Sequence, residues 1–139
     1  MKVLFDTNVV LDLLLDRAPF ADYAVALFTH VHDGRLQGVL CATTLTTIHY
    51  FVAKNRNGKV ARRQIQHLLQ LFEVAAVTEA VLHEAVQATA FEDFEDAALN
   101  AAAVSAGATA IVTRNEVDFE ASALRAYAPA EMLSALRFL

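Results

Sequence analysis

The sequence predicts an α/β fold: a three-layer α/β/α sandwich around a central parallel sheet. Two observations carry this. Short apolar runs alternate with helical patterns along the whole chain. The runs Val3-Leu4-Phe5, Gly38 to Ala42 and Ala110-Ile111-Val112 are continuously apolar rather than alternating, as strands covered on both faces are. At 139 residues, one domain spanning 1–139 is expected. A chain of that size buries roughly 70% of its unfolded surface, so it folds without a disulfide or metal staple.

Lys2 to Phe5 reads as a first buried strand. It ends at Asp6, a carboxylate that either caps the next helix or belongs to a site. Asn8 to Asp16 carries Val9, Val10, Leu13 and Leu14 at helical spacing, with Asn8 as N-cap. Pro19 breaks that helix. Phe20 to His32 is a second one, closed by Asp33-Gly34. Gly38 to Ala42 is the second strand, and Thr43 or Thr44 caps a helix reaching about Ala53. Asn55 to Gly58 is a turn, and Val60 to Phe72 is helical. Glu73 to Val77 is a third strand. Thr78 caps a helix to about Thr89. Glu95 to Ala106 is an Ala-rich helix with Gly107 as its stop. Ala110 to Val112 is the fourth strand, followed by a short helix and a weak strand at Arg125 to Tyr127. Pro129 opens a final helix that completes the chain.

The composition is 56% hydrophobic and 19% charged, outside the disordered class. Cys41 is the single cysteine, so no intrachain disulfide exists. Asp6 interrupts what would be the apolar part of a secretory signal, and no run approaches the ~18 apolar residues of a membrane span. A cytoplasmic protein without a membrane segment is expected. The net charge of −5 argues against coating nucleic acid by charge alone. Yet five of the 11 basic residues fall together, at Lys54, Arg56, Lys59, Arg62 and Arg63. They form either a solvated surface or a phosphate-contacting patch. Glu92, Asp93, Glu95 and Asp96 form an acidic counterpart.

In an open parallel sheet, ligands bind outside the carboxyl ends of the strands. Asp6 follows strand one. Thr113, Asn115 and Asp118 follow strand four, and Asp96 starts the helix that feeds it. Three acids distant in sequence are thereby expected on one rim. Taken singly, each is an ordinary cap or first-turn acid. Together they repel, unless a hard divalent ion such as Mg2+ or Mn2+ offsets their charge. Such an ion activates water and stabilises charge on phosphoryl oxygens. The implied chemistry is hydrolysis of a phosphodiester.

The stretches VLFDTNVVLDLL, FEDAALNAAAVSAGATAIVTRNEVDF and APAEML together resemble the PIN domain, in its bacterial branch that includes VapC-type toxins. The resemblance covers nearly the whole chain. It implies a Mg2+- or Mn2+-dependent ribonuclease, commonly a homodimer, often inhibited by a small antitoxin. By position, Asp6, Asp96 and Asp118 are its metal-binding acids. Asn8 and Thr113 orient ligands or water, and Asn115 supports the loop. One departure stands out: Thr47 occupies the place where the family usually has a glutamate. Asp93, Glu92 or Glu95 could supply the missing charge, since Asp93 and Asp96 share a face if that turn is helical. Otherwise the site works with fewer protein ligands, or the chain is a PIN-fold binding module that cuts nothing.

A phosphotransfer reading with Asp6 as nucleophile is the third alternative. It lacks its second acid, because Asn8 stands two residues on, and Arg114 is a poor substitute for the lysine of a receiver-type domain. The five histidines offer no i, i+4 metal pair, and the four glycines form no phosphate loop.

Overall fold

The computed structural model describes residues 1–137. The strands are β1 (Lys2–Phe5), β2 (Gln37–Cys41), β3 (Glu73–Ala75), β4 (Ala110–Val112) and β5 (Arg125–Tyr127). They form one sheet in the order β3-β2-β1-β4-β5, and every pairing is parallel. Helices α1 (Thr7–Leu14), α2 (Ala21–His32), α3 (Ala42–Asn55), α4 (Gly58–Leu71) and α7 (Pro129–Leu136) cover one face. Helices α5 (Glu79–Gln87) and α6 (Phe94–Ser105) cover the other. A 3-10 turn, Glu116–Phe119, follows β4. This is the α/β/α sandwich expected from the continuous apolar strands. The last two residues of the expected final helix, Phe138 and Leu139, lie outside the described residues.

The strand period of two divides the core. Val3, Phe5, Leu40, Ala110 and Val112 point to the α1 side, while Leu4, Val39, Cys41 and Ile111 point to the α6 side. On the first side Phe5, Phe28 and Phe72 meet edge to face with ring centroids 5.1 to 5.8 Å apart. Gly38 leaves the space that the Phe72 ring fills. The all-Ala stripe of α6, with Ala102 and Ala103 fully buried, lets that helix lie close on the sheet.

Several boundaries differ from expectation for local reasons. Asp6, not Asn8, is the N-cap of α1; Asn8 sits in its first turn. Neither Thr43 nor Thr44 caps α3, which begins at Ala42 without a side-chain cap. The Thr44 hydroxyl lies 3.0 Å from that of Thr7 instead. The turn after α3 shrinks to Arg56 and Asn57, because the Asn57 carboxamide accepts from Val60 N and starts α4 early. Thr78 caps α5 as expected, but the helix stops at Gln87. Gly34 and Gly107 take left-handed backbone at φ +75° and +82° to end α2 and α6.

β1 has β2 on one side and β4 on the other. The chain therefore winds outward in both directions from the β1–β4 pair, and a crevice opens at their carboxyl ends. Asp6 and Thr113 are the first residues past those ends.

Candidate active site

Asp6 caps α1 and also reaches across the crevice. Its Oδ1 accepts from the Thr7 amide at 2.8 Å, capping α1. Its Oδ2 accepts from the Thr113 hydroxyl at 2.8 Å, across the crevice. The residue is 7% exposed. Burial raises its proton affinity above the usual carboxylate value. The bonds from Thr113 and Thr7 pull it back, Asp118 adds to the rise, and Arg114 opposes it.

Thr113 is completely buried. Its hydroxyl gives its proton to Asp6 and accepts from the Asn115 amide at 3.0 Å. Its own amide donates to the Tyr127 carbonyl of β5 at 2.9 Å. Both hydroxyl roles are thus committed, which fixes the Asp6 carboxylate in one orientation. Asn115 precedes the 3-10 turn, and its carbonyl accepts from the Asp118 amide at 3.0 Å. It supports the loop through its backbone. Asn8 lies on α1 with its Oδ1 accepting from Arg17 Nη1 at 3.3 Å.

Asp96 stands in the first turn of α6, and Asp118 in the 3-10 turn. Burial is the largest influence on Asp96, followed by the charges of Asp93, Asp6, Asp118 and Glu95; together they push it up to about 7. No cation is among the groups acting on it. The three expected acids therefore do feel one another, although they come from three separate elements. Asp96 and Asp118 line a cleft of about 750 Å3 with Glu92, Asp93 and Glu120. Asp6 is not on its wall. Among the described residues, no three acids converge closely enough to enclose an ion as they stand. The donor set is all carboxylate oxygen, which suits a hard ion that keeps much of its water. Asp6, Asp96 and Asp118 could hold one in that open manner.

The acids expected to compensate for Thr47 divide. Asp93 is the N-cap of α6, with Oδ1 accepting from Glu95 N at 2.7 Å and Asp96 N at 3.4 Å. Its backbone is extended, so the shared helical face with Asp96 does not form. Asp93 and Glu92 nevertheless face the cleft, whereas Glu95 does not line it. Thr47 lies in the second turn of α3 and donates to the Thr43 carbonyl at 3.2 Å. α3 holds no acidic residue at all.

Lys54, Arg56, Lys59, Arg62 and Arg63 are all exposed, around the junction of α3 and α4. None is ion-paired among the described residues. Lys54 is ten residues beyond Thr44, about 15 Å along the helix at 1.5 Å per residue. The patch is thus set apart from the acids.

One cluster went unread in the sequence. Asp12, only 1% exposed, pairs with Arg114 Nε at 2.8 Å and lies 3.7 Å from Arg17 Nη1. Its signal was present: a charge inside an apolar helix, four residues after Asn8 and so on the same face.

The chain belongs to the PIN domain family, whose model matches residues 2–116. No curated protein matches it significantly in sequence. Solved structures share its fold at low identity. The crystal structure of FitAcB from Neisseria gonorrhoeae is 23% identical with a TM-score of 0.70, covering 92% of this chain and 98% of that one. VapBC-1 from nontypeable Haemophilus influenzae is 16% identical, TM-score 0.70, covering 94% and 99%. A toxin-antitoxin complex from Klebsiella pneumoniae is 19% identical, TM-score 0.69, covering 91% and 97%. Among the described residues no helix is long and apolar enough to cross a membrane.

Proposed function

We propose that this chain is a divalent-metal-dependent endoribonuclease, the cytoplasmic toxin of a toxin-antitoxin pair. The observation that carries the reading is the approach of Asp6, Asp96 and Asp118 at the sheet's switch point, near enough to act on one another, with Asp96 driven to about 7 and no cation beside it. Membership of the PIN family supports nuclease chemistry. One of the similar structures, from Klebsiella pneumoniae, is a toxin-antitoxin complex, which supports a cognate antitoxin as partner. A homodimer is part of the proposal. Exposed apolar side chains such as Tyr50, Leu69 and Val86 leave surface for both partners.

When bound, Mg2+ or Mn2+ supplies a Lewis acid for the phosphoryl oxygen and lowers the pKa of attacking water. The chain's own residues do the rest. Asp6, Asp96 and Asp118 would hold the ion. Thr7 and Thr113 fix Asp6, so that its carboxylate meets the ion already oriented. Asn8, on α1, would orient ligand or water, and Asn115 supports the β4 loop through its backbone. Asp93 and Glu92 add charge to the cleft in place of the acid that Thr47 lacks. Lys54, Arg56, Lys59, Arg62 and Arg63 hold RNA phosphates away from the cut. No acidic residue occurs between Asp33 and Glu73, so this part of the chain attracts RNA although the whole is negative.

The deciding experiment is titration calorimetry with Mn2+ and Mg2+ on the native chain and Asp6→Asn, with both tested against mixed RNA. Binding and cleavage in the native chain, both lost in the variant, is the expected result. A native chain that binds neither ion sinks the proposal. A second reading, a PIN-fold module that binds without cutting, is favoured by the Thr47 hydroxyl, which is turned back to its own helix. Ion binding without cleavage of any RNA would select it.

A further inference from the structure

We infer that Asp12 is a positioning residue that locks the two halves of the acidic site together through Arg114 and Arg17. The inference rests on the reading of Asp6, Asp96 and Asp118 as ion ligands. Asp12 lies on α1, the helix that Asp6 caps. Arg114 lies in the loop between Thr113 and Asp118. Its Nε is 2.8 Å from Asp12 Oδ2, and its Nη2 donates to Oδ1 at 3.2 Å. Nε is not aligned for a hydrogen bond, so one hydrogen bond and a close charge contact hold the guanidinium against Asp12. The Phe20 ring covers the guanidinium 4.0 Å from its centroid. Arg17, 3.7 Å from the same Asp12, donates to Asn8 Oδ1 at 3.3 Å. One buried carboxylate therefore orders the loop bearing Thr113, Asn115 and Asp118 and also aims Asn8.

Fold stability alone does not account for this cluster. Burying a carboxylate beside arginines costs desolvation that the pairing at best recovers, and apolar replacements are often as stable. A buried charge pair does supply a fixed orientation, and this one spans two elements whose relative placement sets the ion site. Asp6 and Thr113 are joined by one hydrogen bond; Asp12, six residues beyond Asp6, and Arg114, next to Thr113, join the same two segments a second time. The second tie prevents the loop from pivoting about the first.

The test compares native chain, Arg114→Met, Arg114→Lys and the double variant Asp12→Leu with Arg114→Met. Each is read by Mn2+ affinity, by amide hydrogen exchange at residues 113–118 in the metal-free state, and by kcat and KM on an RNA oligonucleotide. The double variant replaces the ion pair by apolar packing, so it separates folding from positioning. It is expected to melt no lower than the native chain, yet to exchange faster at Asn115 and Asp118. Mn2+ affinity is expected to fall about 10- to 100-fold, the usual effect of losing a partner behind a metal ligand. kcat falls and KM holds. Arg114→Lys, which keeps the charge beside Asp12 but not the planar guanidinium, lies between. A folded double variant with native exchange and native Mn2+ affinity overturns the inference. Should the double variant not fold, Arg114→Met alone decides by the same readings. If the native chain neither binds ion nor cuts RNA, the nuclease reading fails, and exchange at 113–118 still judges the lock.

Discussion

The Thr113 hydroxyl donates to Asp6 Oδ2 at 2.8 Å, joining two residues 107 positions apart at the ends of neighbouring strands. This bond fixes which way the buried carboxylate of Asp6 faces. Thr113→Val keeps the shape and removes the donor. A hydrogen bond to a charged group contributes about 1.5–3 kcal/mol. We expect a loss of that order in urea unfolding at neutral pH, with weaker Mn2+ binding. An unchanged midpoint and affinity would show that Thr7 alone orients Asp6.

Asp96 gives the metal-free protein a pH signature. Its folded pKa of about 7 lies above the ordinary value of 3.8. The folded state therefore holds a proton that the unfolded state releases between those values. Its contribution to stability is full below about pH 4 and is lost as pH rises through 7. The melting temperature of the metal-free chain should fall over that window, and Asp96→Asn should flatten the slope. Saturating Mg2+ should do likewise, because the ion takes the place of the proton. A native slope in Asp96→Asn would assign the effect to Asp6 and Asp12, whose proton affinities are also raised by burial.

Thr47→Glu is expected to raise Mn2+ affinity and cleavage, because it restores a carboxylate on a helix that has none. No gain would mean that Asp93 and Glu92 already meet the ion's need. Asp93→Ala would then be the more damaging change, costing both cleft charge and the α6 cap. Loss of such a cap costs about 1 kcal/mol.

Arg62→Ala should weaken RNA binding by a similar factor across sequences and lower the salt slope of the affinity by about one. Fold and Mn2+ affinity should not change, since the side chain is exposed and unpaired among the described residues. An unaltered salt slope would remove the patch from the RNA path.

Gly38→Ala tests the core behind the site. A Cβ there would run into the Phe72 ring, which is wedged against Phe5 and Phe28. Overpacking of this kind costs about 1–3 kcal/mol, readable as a lower urea midpoint.

Much of this protein was written in local pattern. The continuous apolar strands required two covering layers, and Gly34 and Gly107 stopped helices where left-handed backbone was needed. The DTN and TRNxxDF stretches, each just past a strand, marked Asp6, Thr113 and Asp118 for the same sheet edge. These features are legible because strand period, helix stops and the rule of strand ends act over a few residues. Asp6 and Asn8 are both good capping residues for α1, and only the path of β1 decides for Asp6. The early start of α4 turned likewise on whether Asn57 could reach Val60 N.

What the sequence by itself determined is the class of fold and the set of acids it gathers. Only the tertiary structure decided how those acids are held. The Thr113–Asp6 bond, the Thr7–Thr44 contact and the Asp12–Arg114 pair span 37 to 107 positions. No periodicity encodes such pairings. They exist because β1, with β2 on one flank and β4 on the other, brings the starts of α1, α3 and the β4 loop to one rim. There each buried polar group must find its partner on another element or remain unsatisfied.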